Sequence, residues 1–80
     1  MKFELVSEEI FEDNSKRVIL SVESEDLVYL GFILESFEGW CNYTTIKKSE
    51  PYLQIDISPD YVNQMEELLN ILKDWKYDEQ

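Results

Sequence analysis

Residues 17–39 read RVILSVESEDLVYLGFILESFEG, and they contain the clearest structural signals in the chain. Its first seven residues are mostly β-branched or aliphatic, which is typical of a strand in the middle of a sheet. Ser24 then precedes two acidic residues, a pattern that predicts a helix capped by the serine hydroxyl with acids at the positive end of its dipole. Gly39 supplies the left-handed conformation that ends many helices. The stretch therefore predicts a strand over 17–23 and a helix over about 25–38.

Two alternating segments follow that helix. Residues 40–48, WCNYTTIKK, and residues 52–57, YLQIDI, are joined by a short Ser-Glu-Pro turn and predict a hairpin with one polar face. Pro59 lies between a serine and an aspartate, which is a common helix start because the missing N–H of proline costs nothing there. The apolar stripe that continues at helical spacing is Tyr61, Met65, Leu68, Leu72 and Trp75. This pattern predicts a last helix over about 59–75 that packs the stripe inward.

The first sixteen residues are compatible with two structures. The run FELV alternates like a strand, whereas SEEIFED suits either a helical turn or a second extended piece. Residues 13–15, Asp-Asn-Ser, fit a turn. If residues 3–11 are extended, they fold back on the strand at 17–23 and occupy an edge of the sheet. The sequence leaves both alternatives open.

The order of the elements predicts the fold class. From residue 17 onward the order is strand, helix, two strands and helix, and right-handed crossovers then place both helices on one face of an antiparallel sheet. This is an α+β, two-layer, ferredoxin-like plait without its last strand, written (β)βαββα when the N-terminal segment fills that place. We expect a single domain over 1–80, with an edge strand or arm at 1–16, the βαββα core at 17–75 and a tail at 76–80.

The middle of the chain resembles a known family. The run LVYLGFILESFEGWCNYTTI, the later LQIDISPDY and the leucine-rich last helix are similar to a short bacterial family described only as a domain of unknown function. The likeness covers residues 17–75, about three quarters of the chain. It implies a ferredoxin-like or ACT-like α/β plait, and it carries no activity, ligand or site residue over to this chain.

The chain is strongly acidic. Its 80 residues include 18 aspartates and glutamates, 7 lysines and arginines and no histidine, for a formal net charge of −11. This charge repels phosphate backbones and anionic lipids, so we expect neither nucleic acid nor a membrane surface as a partner. The single cysteine and the lack of a basic, apolar leader pattern favour a reducing, cytoplasmic location.

Residue types that carry catalysis are scarce. Histidine, the usual proton shuttle near neutral pH, is absent, and no spacing singles out a pair of carboxylates. Cys41 has no histidine to activate it, so we interpret it as a small buried apolar residue. Asp56 and Asp60 do not form a recognised metal-binding pattern. We therefore expect no enzyme activity, no catalytic residue, no metal site and no cofactor.

One side of the first helix has no evident neighbour. On a helical wheel, Val28 and Phe32 point away from the face that should meet the sheet, with Tyr29 beside them. Either the last helix covers these residues through Val62 and Leu69, or a second subunit or partner does.

The outer face of the sheet is a second candidate surface. Ile19 and Tyr52 point to this uncovered side, and Tyr43 with Cys41 are further candidates for it. Face-to-face pairing of two sheets or a small ligand would suit this face, and so would plain exposure to water with a few aromatic residues.

These features favour a non-catalytic module that forms a homodimer or binds a small regulatory ligand. Its candidate interface residues are Val28, Phe32, Ile19 and Tyr52. The alternative function is an acidic inhibitor or nucleic-acid mimic that binds a basic partner protein. Salt should weaken the binding of such a mimic, whereas an apolar dimer should persist at high salt.

Overall fold

The computed structural model describes residues 1–47 and 51–75. These residues form a four-stranded sheet and two α-helices, which confirms the predicted α+β class. In chain order the elements are β1 (Phe3–Ile10), β2 (Lys16–Val22), α1 (Ser24–Glu35), β3 (Cys41–Lys47), β4 (Pro51–Ile57), a 3₁₀ turn (Pro59–Tyr61) and α2 (Val62–Asp74). The predicted strand end at Lys48, the turn residues 49–50 and the tail at 76–80 lie outside the described residues.

The strands lie in the order β1-β2-β4-β3, and every neighbouring pair is antiparallel. The N-terminal segment is therefore extended and pairs with β2, which decides between the two alternatives that the sequence left open. The exact ferredoxin-like order is not matched. β2 lies between β4 and β1, and β1 is the first strand of the chain, whereas the ferredoxin-like plan places its last strand in that position. Within the described sheet, β1 and β3 are the two edges.

A tight turn joins β1 to β2, as the Asp-Asn-Ser sequence predicted. Phe11 N–H donates to the Ser15 carbonyl at 2.9 Å, and Asn14 adopts a left-handed φ of 71°, which asparagine tolerates. The Asp13 carboxylate accepts hydrogen bonds from the hydroxyl of Ser15 at 2.6 Å and from its N–H at 2.9 Å. These two bonds hold the pKa of Asp13 below its ordinary value.

The core lies between the sheet and the two helices. Alternate residues of β2 and β4 are buried on the helix side, as predicted: Val18, Leu20, Val22, Leu53, Ile55 and Ile57. The buried residues that they meet on the helices are Leu30, Leu34, Met65 and Leu72. Since one apolar cluster joins both helices to the same strand faces, both helices lie on one side of the sheet. Each fully buried side chain of this kind stabilises the fold by about 2 kcal/mol.

β1 contains a bulge between Leu5 and Ser7. Before the bulge, Leu5 pairs with Leu20 and lies on the helix side of the sheet. After it, Glu8 pairs with Val18 and also lies on the helix side, although unbroken alternation would point its side chain to the outer face. The bulge therefore changes which residues of β1 face the helices: odd-numbered residues before it and even-numbered residues after it.

The ends of α1 differ from the prediction. The helix begins at Ser24, its N-cap residue is Glu23, and no side-chain capping bond is formed, so Ser24 is not the cap that the sequence suggested. The carboxylate of Asp26 is buried and accepts a hydrogen bond from the N–H of Lys2 at 3.0 Å. The helix ends at Glu35, three residues before the predicted position at residue 38.

Gly39 has the predicted left-handed conformation, with φ of +87°, but it does not cap the helix. Trp40 N–H donates to the Phe37 carbonyl at 3.0 Å, so Gly39 is the third residue of a four-residue turn that leads into β3. The last carbonyls of α1 are bound instead by backbone N–H groups of Ser36 and Phe37. Glycine is favoured here by the turn.

Cys41 and Tyr43 lie on the helix side of the sheet, which corrects their assignment to the outer face. They pair with Ile57 and Ile55, whose side chains are buried in the core. Residues opposite each other in an antiparallel pair point to the same side, so the pairing fixes their direction. The hydroxyl of Tyr43 donates to Glu35 Oε2 of α1 at 2.8 Å.

Candidate functional site

The side of α1 that faces away from the sheet carries three large apolar residues, which we name the α1 face. Val28, Tyr29 and Phe32 are 58%, 50% and 65% exposed. Val62 and Leu69 of α2 pack against the core, so they do not cover the α1 face as one interpretation of the sequence proposed. The structure thus brings Val28 and Phe32 together on an open surface.

The sequence of α1 explains this exposure. Eight residues in succession, LVYLGFIL, are apolar or glycine and leave no polar side for the helix to turn toward water. Leu30 and Leu34 fill the core, and Leu27 and Ile33 pack against it. The other three large apolar residues of the helix point outward. Glu25 and Glu35 lie near the two ends of the α1 face, and the helix contains no lysine or arginine. The surface is therefore apolar in its middle and acidic at its ends.

The outer sheet face is more polar than the α1 face. Ile19 and Tyr52 lie together on this face and are half-buried. Beside them, Arg17 Nε lies 2.7 Å from Asp56 Oδ1, and Gln54 donates to the other oxygen of that carboxylate at 3.2 Å. The two pairs of predicted interface residues thus occupy opposite sides of the molecule.

A groove opens between β1 and α2 on the helix side, and we name it the β1/α2 groove. Its apolar lining is formed by Phe3, Leu5, Val18, Leu20 and Leu69. Its polar lining is formed by Glu8, Lys16, Glu66, Asn70 and Lys73. The volume of the groove is about 340 Å³, which is within the range of sites that hold small molecules.

An ion cluster occupies one end of the β1/α2 groove. Lys16 Nζ lies 2.6 Å from Glu8 Oε1 and 2.5 Å from Glu66 Oε2. Lys16 is only 8% exposed, whereas about half of each glutamate side chain is accessible to water. Hydrogen bonds to Glu66 and Glu8 raise the pKa of Lys16. With one ammonium and two carboxylates, the cluster carries a net charge of −1.

Sequence reasoning missed this cluster and the groove. Lys16 continues the inward spacing of Val18, Leu20 and Val22, so the alternation along β2 was a signal that Lys16 points inward. Glu8 carried no such signal, because its inward position depends on the bulge in β1. A groove that depends on a bulge and on the position of a helix cannot be derived from local spacing.

The Cys41 thiol and the Tyr43 hydroxyl both have pKa values above their ordinary values. Burial raises the pKa of the Cys41 thiol. The hydrogen bond to Glu35 raises the pKa of the Tyr43 hydroxyl. Among residues 1–47 and 51–75, no three histidine, cysteine or acidic side chains are grouped so that they could hold a metal ion.

In the part of the chain that the structure describes, neither helix is long and apolar enough to cross a membrane.

Comparison with known proteins identifies the family of the chain. Residues 20–74 match the family described as Domain of unknown function (DUF4911). The match runs from the middle of β2 to the end of α2 and covers more than half of the chain. No curated protein and no solved structure matches the sequence. The resemblance to a short family of unknown function is thereby confirmed, and the chain belongs to the DUF4911 family.

Proposed function

We propose that this protein is a non-catalytic interaction domain that pairs with a second copy of itself through the α1 face. The exposure of Val28, Tyr29 and Phe32, at half or more of each residue, is the observation that carries the proposal. A helix that is apolar on both sides usually packs against neighbours on both sides. Two-fold pairing of identical surfaces is the commonest arrangement that supplies such a neighbour.

The size of the α1 face limits the strength of this dimer. With typical side-chain areas, its three residues leave roughly 300 Å² of apolar surface exposed. A standard stable interface buries about 800 Å² per partner, so residues around the α1 face must contribute as well. We therefore expect a weak dimer with a Kd in the micromolar range.

Charge determines how this dimer responds to salt. Each copy carries a formal charge of −11, and α1 itself has acidic but no basic residues. Two copies repel each other until salt screens their charges, whereas the apolar contact is not weakened by screening. We therefore expect the dimer to tighten as the salt concentration rises.

The outer sheet face is the less favourable surface for pairing. Ile19 and Tyr52 are already half-buried, and the ion pair of Arg17 with Asp56 lies on the same face. Bringing a second sheet onto this face would remove water from the ion pair, at a cost that few apolar contacts would offset.

Sedimentation of matched variants tests the proposal. Phe32→Glu and Tyr52→Glu each add one negative charge, the first to the α1 face and the second to the outer sheet face. Over micromolar to millimolar concentrations at high salt, Phe32→Glu should be monomeric and Tyr52→Glu should dimerise like the unmodified protein. An unmodified protein that sediments only as a 9.6 kDa species at low and high salt would contradict the proposal. Loss of the dimer in Tyr52→Glu alone would move the interface to the sheet.

The acids near the ends of the α1 face support a second candidate function, the binding of a basic partner protein. Glu25 and Glu35 would meet lysines or arginines at the ends of a complementary apolar stripe. Such a complex weakens when salt is added, which is the opposite of the response expected for the dimer. Titration of a basic amphipathic helical peptide at two salt concentrations measures the sign directly. Binding that Phe32→Glu abolishes and salt weakens would favour this candidate.

A further inference from the structure

We infer that the β1/α2 groove binds a small amphipathic amine, with its apolar tail in the groove and its ammonium group on Glu8 and Glu66. This ligand site is separate from the α1 face and does not depend on self-association. The groove combines an apolar lining with a charged end, which is the usual composition of a site for a small molecule.

The apolar part of the groove provides the first argument. Val18 and Leu20 are buried beneath it, Leu5 is 51% exposed on one wall, and Leu69 of α2 lines the other wall. A linear chain of about six carbons would lie along this lining and would cover the side of Leu5 that now faces water. Each methylene that leaves water favours binding.

The ion cluster determines the charge of the ligand. Lys16 Nζ contacts one oxygen of each glutamate, so Glu8 Oε2 and Glu66 Oε1 remain available on half-exposed side chains. Because the cluster carries a net charge of −1, it attracts an ammonium group and repels a carboxylate or phosphate. An ammonium donates three hydrogen bonds, which suits two carboxylate oxygens and water.

The opposite end of the groove excludes a second positive charge. Lys73 follows Glu66 by seven residues, about two helical turns or 10 Å along α2. A straight diamine with a six-carbon chain would bring its second ammonium close to Lys73. The groove should therefore prefer a monoamine, whereas general attraction to an acidic protein should favour the diamine.

Titrations followed by backbone amide NMR test this inference with hexylamine, hexanoate and 1,6-diaminohexane. We expect hexylamine to shift the amides of Leu5, Leu20 and Leu69 saturably in the millimolar range. Hexanoate, whose carboxylate has only the exposed Lys73 to pair with, should bind more weakly than hexylamine, and so should the diamine. Glu66→Gln should weaken hexylamine binding about fivefold, as expected for a half-exposed charge pair. Glu67→Gln is the matched control, because Glu67 is also exposed on α2 but does not line the groove.

Three results would overturn the inference: no saturable shift at the groove amides, tighter binding of the diamine than of the monoamine, or equal weakening by both glutamine variants. Glu66→Gln leaves the pair of Lys16 with Glu8 in place, and its own amide spectrum shows whether it is folded. If it is not folded, Glu8→Gln provides the same test from the other wall of the groove. Phe32→Glu should bind hexylamine normally, so failure of the dimer proposal and failure of this inference are distinguishable.

Discussion

Lys16 links three elements through one ammonium group. It extends from β2 and contacts Glu8 on the edge strand β1 and Glu66 on α2. The side chain is nearly buried, while both of its partners reach water. This arrangement avoids the full cost of burying three charges and still connects the two walls of the β1/α2 groove.

Replacing Lys16 with methionine should lower the free energy of unfolding by about 1–2 kcal/mol at neutral pH, because two charge-assisted hydrogen bonds are lost. The pKa of Lys16 is raised in the folded protein above its ordinary value of 10.5. Its contribution is therefore complete below pH 10.5 and is lost as the pH rises through the raised pKa. Urea denaturation of both proteins from pH 7 upward should show a constant difference that shrinks at alkaline pH.

Lys2→Met is the control for that experiment, because Lys2 is an exposed lysine on the same protein. Its effect on the free energy of unfolding should stay within about 0.5 kcal/mol. A Lys16→Met variant that is as stable as this control at neutral pH would show that the ion cluster contributes nothing to the fold.

Helix α1 is positioned by a close approach to β3. Gly31 lies in the middle of the helix and is buried against the ring of Tyr43. A Cβ atom at Gly31 would lie 3.3 Å from the Tyr43 hydroxyl oxygen and 3.5 Å from Cε2. The glycine thus lets the hydroxyl pass the helix and reach Glu35.

Gly31→Ala should reveal a competition between helix propensity and this contact. Alanine favours a helix interior over glycine by about 1 kcal/mol. In the unmodified background the tight contact with the tyrosine hydroxyl should offset much of that gain. In a Tyr43→Phe background the nearest atom is gone, and Gly31→Ala should then stabilise the protein by close to the full amount. Urea denaturation of the four proteins measures the coupling, and an identical gain in both backgrounds would contradict this account.

The central elements could be predicted because their local patterns agree with their packing. The buried alternation of Val18, Leu20 and Val22 and the helical stripe through Met65 and Leu72 are each visible within one element. The end of α1 could not be predicted in this way, since Glu35 and residue 38 are both compatible with a helix. The final turn depends on how the chain enters β3.

The candidate sites were predictable only where the pattern within one helix or one strand was sufficient. The wheel of α1 places Val28 and Phe32 outward without reference to any other element, and both are exposed. The direction of Tyr43 required the register of β3, which a one-residue shift reverses. The ion cluster required three elements at once, so no single pattern in the sequence contained it.

The whole molecule combines a large negative charge with the absence of histidine. Acidic side chains repel one another in the folded protein more than in the expanded unfolded chain, so screening by salt should stabilise the fold. We expect the Tm to rise by at least about 4 °C between low and molar salt, the shift that about 1 kcal/mol produces in a domain of this size. Between pH 5.5 and about 7 no histidine titrates, so the Tm should stay nearly constant there. Calorimetry at two salt concentrations checks the first statement, and a Tm that falls with salt would contradict it. Calorimetry at two pH values within this range checks the second.

The bulge between Leu5 and Ser7 also bears on how the molecules behave in a crowded solution. β1 is an edge of the described sheet, and an edge strand that is long, straight and apolar would recruit the same strand of another molecule into a growing fibril. Here Val6 and Ile10 are exposed on β1, which supplies the apolar character that aggregation needs. The extra residue bends the strand and interrupts its row of backbone donors and acceptors. We therefore expect the irregularity that turns Glu8 toward the groove to hinder polymerisation along this edge as well.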